Sequence, residues 1–144
     1  MKIWSIIMVV IQLAGITLIC VTAPPYCLSP QLGIPQVLGL GLLVWTWVNL
    51  HPGKFHIMPD PLKNTRIITT GPYRFIRHPM YLCLLLWMIP LLIAYFSVFR
   101  LIVMILFTAN MVIKMFYEEH LLKKRYPEYA DYMKKSKRLI PFVF

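Results

Sequence analysis

After Lys2 this chain carries no charged side chain until Lys54. Within that interval Ile3–Thr22 gives about 20 uncharged, mostly apolar residues, enough to cross a ~30 Å hydrocarbon core as a helix. A cleaved signal peptide is the alternative for this run. It is disfavoured because the run outlasts a typical signal core, Pro24 would follow directly on a cut at Ala23, and a second span comes at once. A hydrophobic fraction of 59% and a mean hydropathy of +0.67 exceed what a soluble globule carries. The chain therefore reads as a single membrane domain over residues 1–144.

Four spans are expected. Ile3–Thr22 is the first. Ala23–Gln36 holds Pro24, Pro25, Pro30 and Pro35 and reads as the turn. Val37–Leu50, starting near Gly33, is the second span, completing residues 1–50. Gly39 and Gly41 would let a neighbouring helix approach there, and Trp45 and Trp47 suit an interfacial belt. His51–Ile76 is a polar connector of about 26 residues, long for a helix–helix link and expected to be extended and irregular. Pro79–Phe96 is the third span, with Pro79 in its first turn and Pro90 expected to kink it. Ser97–Arg100 is a turn, and Leu101–Tyr117 the fourth span, followed by an amphipathic, charged tail. The predicted fold is all-α, an integral membrane protein with four transmembrane helices, a cytoplasmic connector and a folded-back tail.

The net charge of +10 is a membrane signature here rather than a nucleic-acid one. The basic residues cluster at Lys54–Arg77 and after Lys114, on the flanks of hydrophobic spans, where they hold the cytoplasmic side. No nucleic-acid partner is expected. With both termini cytoplasmic, in a bacterial inner membrane or an endomembrane, the first loop is outside with no Lys or Arg. The connector together with Arg77 just after it is inside with five, and the second outer loop has Arg100 alone. Cys20, Cys27 and Cys83 show neither metal spacing nor a disulfide framework, so no metal site is expected.

This topology gathers the polar residues at one face. Gly71-Pro72-Tyr73-Arg74-Phe75-Ile76-Arg77-His78-Pro79-Met80-Tyr81 opens the third span. The third and fourth spans form a hairpin, so Arg74, Arg77 and His78 are expected to face Glu118 and Glu119. Asn110, Lys114 and Glu118 recur every four residues and share a helix face. Ionisable groups entering a membrane segment are a functional-site hypothesis by default. Each has an ordinary alternative: interface anchors for the arginines, a helix cap for His78, belt aromatics for Tyr73 and Tyr81, a solvated helix end for the glutamates.

These motifs carry a resemblance. Gly-Pro-Tyr-x-x-x-Arg-His-Pro-x-Tyr, then a hydrophobic hairpin, Glu-Glu-x-x-Leu, Tyr-Pro-Glu-Tyr-x-x-Tyr and Arg-x-Ile-Pro, resemble the isoprenylcysteine carboxyl methyltransferase and phospholipid methyltransferase superfamily over roughly residues 60 to 142. The resemblance implies an integral-membrane enzyme using S-adenosyl-L-methionine. It implies that Tyr73, Arg77, His78, Pro79 and Tyr81 bind the cofactor with Glu118 and Glu119, and that Arg138, Leu139, Ile140 and Pro141 fold back over it. Arg138, Glu118 and Glu119 are then the candidate catalytic residues. One departure is visible: Tyr126-Pro127-Glu128-Tyr129 is one residue shorter than the Phe-Gly-Glu-Glu-Tyr of many relatives. No glycine pattern of a soluble nucleotide-binding fold is present.

The implied acceptor is a lipid or a prenylated small molecule, bearing a carboxylate or an amine. A homo-oligomer stays open, because two short glycine-bearing spans are few to seal a pocket. Two rivals stand beside this reading. One is an NADPH-dependent reductase of sterol-reductase type, using Lys63, Arg66, Arg74 and Arg77 for a phosphate. The other is a small transporter or non-catalytic subunit, against which the first three spans hold no ionisable residue.

Overall fold

The computed structural model describes residues 3–24, 26, 29–50 and 67–140. Within them the chain is helical: α1 (Ile3–Thr22), α2 (Pro30–Asn49), α3 (Pro79–Ala94), α4 (Val98–Arg125) and α5 (Tyr129–Lys135), with a short 3-10 turn at Gly71–Arg74 before α3. No strand occurs among the described residues, only a single parallel bridge between Ile76 and Lys137. Three helices, α1, α2 and α4, are long and apolar enough to cross a membrane. The expected third span, α3, has 16 residues, or about 24 Å at 1.5 Å per residue.

The first span coincides with its expected bounds. The second begins earlier than expected, because proline does not always end a helix. Pro30 occupies the first helical position, where its missing N–H costs nothing, and Pro35 lies inside α2. Membrane helices tolerate such a residue because neighbouring groups satisfy the carbonyl left without its donor. Pro90 likewise sits buried inside α3 without ending it. The fourth helix runs eight residues past Tyr117, since Glu118–Arg125 is rich in strong helix formers and ends in Lys123, Lys124 and Arg125, which oppose the C-terminal dipole. The turn before it is also tighter than expected: Ser97 caps α4, its Oγ accepting from the Arg100 N–H at 3.4 Å.

Helix α2 packs chiefly on α3 and α4 on α1. Gly39 makes the first contact possible, because a Cβ there would lie 3.0 Å from the Leu86 Cβ. Gly41 faces open space, so only one of the two glycines does what the sequence suggests. Against α4, Gly15 of α1 abuts the Phe107 ring. Polar side chains tie the same pair: Asn110 Nδ2 donates to the Met8 carbonyl at 3.0 Å, and Lys114 Nζ to Gln12 Oε1 at 2.8 Å. At the other end of α4, Arg100 donates to the Thr22 hydroxyl at 3.2 Å and to the carbonyls of Thr22 and Tyr95. A core of Ile19, Met88, Leu91, Met104, Phe107 and Met111 fills the interior.

These contacts put the start of α1, the end of α2, the start of α3 and the end of α4 at one end of the bundle. Gly71 fixes the turn there. Its φ of +60° suits glycine, and the Asn49 side chain at the end of α2 leaves no room for a Cβ.

Candidate functional site

The site begins with backbone pairing. Residues 75–78 run beside the tail: the Lys137 N–H donates to the Phe75 carbonyl at 2.9 Å, Arg77 to Lys137 at 2.8 Å and His78 to Arg138 at 3.0 Å. The tail therefore folds back on the segment that leads into α3, as the sequence suggests. Tyr132 of α5 adds a lock, its hydroxyl donating to the Tyr73 carbonyl at 2.5 Å. Burial, the largest influence, pushes that phenol up to about 12, so it stays a donor at ordinary pH. The Tyr73 phenol is also raised, first by burial and then by the proximity of Tyr132 and Glu118.

Around this frame two acidic residues take different roles. Glu119 is buried, with 4% of its side chain exposed, and both oxygens are engaged. Oε1 accepts from Arg77 Nε at 2.7 Å, and Oε2 from Arg138 Nε at 3.1 Å. Arg77, 6% exposed, also bonds the tail, its Nη1 reaching the carbonyls of Met133 and Ser136. Arg77 and Glu119 thus form an internal clamp across the segment leading into α3, α4 and the tail, made of charge-assisted bonds.

Glu118 is the more open carboxylate, at 18%. Its Oε1 accepts from the Tyr81 hydroxyl at 2.8 Å, and its Oε2 lies 3.5 Å from His78 Nδ1. The His78 ring stacks on Tyr81 with centroids 5.4 Å apart. His78 Nε2 is buried without a hydrogen bond of good geometry, 3.5 Å from Glu119 Oε1. Lys114, one turn earlier on α4, places Nζ 5.6 Å from the Tyr81 ring centroid. A carboxylate with acceptor capacity to spare and an imidazole nitrogen not fully engaged, side by side, are ligand-directed features.

Of the expected site residues, Arg77, His78, Tyr81, Glu118, Glu119 and Arg138 converge here. Pro79 is buried at the first position of α3, and Leu139 joins the core, while Ile140 is exposed. Arg74 does not face the glutamates. It is exposed and lies over its neighbour Phe75, because the 3-10 turn points it away from the bundle. Pro141, Lys63, Arg66 and Cys27 lie outside the described residues. Sequence reasoning missed Tyr132 as an anchor, Phe116 beneath Arg138, and Gln12. The signal for Gln12 was present, as the one amide in the first apolar run. Among the described residues no group of three or more metal-ligating side chains gathers.

Comparison with known proteins decides the class. The family model for phospholipid methyltransferase matches residues 32–129, from α2 through the start of α5. The chain belongs to the phospholipid methyltransferase family. That family lies within the isoprenylcysteine carboxyl methyltransferase-like superfamily, as the sequence motifs suggest. The match takes in α2, which the motifs left as a generic span, and stops before Arg138. The chain is also similar to a nickel-cobalt-cadmium resistance protein, NccN, of Alcaligenes xylosoxydans xylosoxydans, at 34% identity over 82 residues, 55% of this chain. It spans only 38% of that relative's length. The match is to a methyltransferase family, and three helices of the chain are apolar and long enough to cross a membrane. It does not favour the reductase and transporter readings.

Proposed function

We propose that this protein transfers a methyl group from S-adenosyl-L-methionine to a lipid-linked acceptor, an isoprenylcysteine-like carboxylate or a phospholipid amine, on the cytoplasmic side of a membrane. One observation supports this most: three chain segments bring Arg77, His78, Tyr81, Glu118, Glu119 and Arg138 to one end of an apolar bundle. The residues fit the cofactor chemically. A zwitterion with ribose hydroxyls needs acceptors and donors in one place, and Glu118 and His78 supply both with bonding capacity to spare.

His78, Tyr81 and Glu118 are assigned to direct contact with the cofactor. Tyr73, Pro79, Leu139 and Ile140 are assigned to the wall around it. Arg77 and Glu119 act mainly by holding the tail closed, which keeps water from the site. The cofactor supplies, when bound, an electrophilic methyl on a sulfonium. For a carboxylate acceptor the protein needs no general base, and its contribution is orientation. For an amine acceptor a proton must be taken, and Glu118 is placed to receive it. Working beside the bilayer avoids drawing a lipid tail into water, which costs ~0.8 kcal/mol per CH₂.

The test is incubation of purified protein with methyl-labelled S-adenosylmethionine and a total lipid extract. Label in a lipid product is the expected result. Label confined to water-soluble products, or none with well-folded protein, refutes the reading.

A further inference from the structure

The outer surface of α4 has a sharp boundary. Ile102, Leu106, Ile113 and Phe116 are exposed and fall along one line of the helix. The next exposed positions on that side are His120, Lys123 and Lys124. The apolar stripe therefore ends at Phe116, which marks headgroup depth if the stripe faces acyl chains.

Arg138 sits on that boundary. Its guanidinium carbon lies 4.5 Å from the centroid of the Phe116 ring, while Nε reaches inward to Glu119 at 3.1 Å. One side chain thus bridges a buried carboxylate of the site and an aromatic on the outer face. The two arginines that clamp Glu119 differ in this respect. Arg77 is 6% exposed and bonded to the tail, whereas the Arg138 side chain is 27% exposed. A guanidinium pinned at one edge and stacked on a ring has a fixed plane, which suits it to a carboxylate or phosphate. Lys123 and Lys124, farther along the helix and exposed, can offer only general attraction to anionic lipid.

We infer that Arg138 recognises the acceptor: its guanidinium takes the anionic group, phosphate or carboxylate, of a lipid whose tail lies along Ile113 and Phe116. This rests on the proposed methylation of a lipid-linked acceptor, and it gives Arg138, which the family resemblance places over the cofactor, to the acceptor side. A lipid held this way has its headgroup beside the Glu118–Glu119 pair.

Native mass spectrometry of the full chain in detergent tests it. The probes are dioleoylphosphatidylethanolamine, which carries a phosphate, N-acetyl-S-farnesylcysteine, which carries a carboxylate, and dioleoylglycerol, which carries no anion. Wild-type protein is expected to hold one of the two lipids that carry an anionic group about tenfold or more tighter than dioleoylglycerol. The preferred lipid identifies the anion's source. Arg138→Gln should erase the preference and Arg138→Lys keep part of it. Phe116→Ala leaves the bond to Glu119 in place and should cost about threefold, the worth of an exposed cation–π contact. Preference surviving in Arg138→Gln, no preference in wild type, or displacement of the lipid by millimolar inorganic phosphate would overturn the inference. Titration of the same samples with S-adenosylhomocysteine separates the two readings. Cofactor binding without lipid discrimination sinks only this one, and absent cofactor binding sinks the donor assignment.

Discussion

Replacing Arg77 by alanine tests whether the tail is held by charge rather than by sequence proximity. Arg77 donates to Glu119 Oε1 at 2.7 Å and to the carbonyls of Met133 and Ser136, all from a side chain 6% exposed. Breaking a buried pair by removing one partner costs about 3–5 kcal/mol. Arg138 still pairs with Glu119 in the variant, so the lower end applies. At 1.4 kcal/mol per tenfold, about 3 kcal/mol is roughly a hundredfold in the opening equilibrium of the tail. Hydrogen exchange in nanodiscs reads this at the His78 and Lys137 amides, which pair with Arg138 and Phe75. Their protection should fall about a hundredfold in Arg77→Ala, while α1 and the middle of α4 keep theirs. Arg77→Lys, which keeps the charge and loses the fork, should fall between. Unchanged protection of both amides in a helical Arg77→Ala protein would refute the clamp.

Three further outcomes are expected. Gly71→Ala should lower thermal stability by the equivalent of more than about 1 kcal/mol, because its φ is +60° and Asn49 fills the space a Cβ would take; an unchanged melting temperature contradicts this. Truncation after Ser136 removes the Lys137 bridge and Arg138, and should abolish methyl transfer while membrane insertion persists, so an active truncation would show that the tail is no cover. Tyr132 has its phenol pushed up to about 12, chiefly by burial, against an ordinary 10.0. The protonated form is the one favoured in the fold, so its contribution is complete below pH 10 and declines as pH rises toward 12. Tail protection should hold steady from pH 7 to about 10, and Tyr132→Phe should remove the dependence above that.

Much of this architecture was legible in the chain because membrane segments announce themselves by length and lack of charge. Ile3–Thr22 needed nothing else. Helix ends were harder. Pro30 and Pro35 look like turn residues in a sequence, yet a first-turn proline costs nothing and membrane helices tolerate one farther in, as α2 holds Pro35. Similarly, Glu118 looks like the end of a span, but helix propensity carries α4 on to Arg125.

In the site, residue types and order were readable, since Arg, His, Tyr and Glu at a membrane boundary stand out. Their division of labour was not. Glu118 and Glu119 are adjacent in sequence, about 100° apart around the helix, and meet different partners. Only coordinates show that Glu119 is saturated by Arg77 and Arg138 while Glu118 meets Tyr81 and His78. Arg74 and Arg77 were equally plausible on composition, and the 3-10 turn that ends at Arg74 sends that one outward.

Calorimetric titration of the purified protein with S-adenosylhomocysteine, in nanodiscs, addresses the core of the proposal. Wild-type protein should bind, and His78→Ala and Glu118→Ala should each weaken binding about tenfold or more, or roughly 1.4 kcal/mol. Undiminished affinity in well-folded preparations of both variants would contradict it.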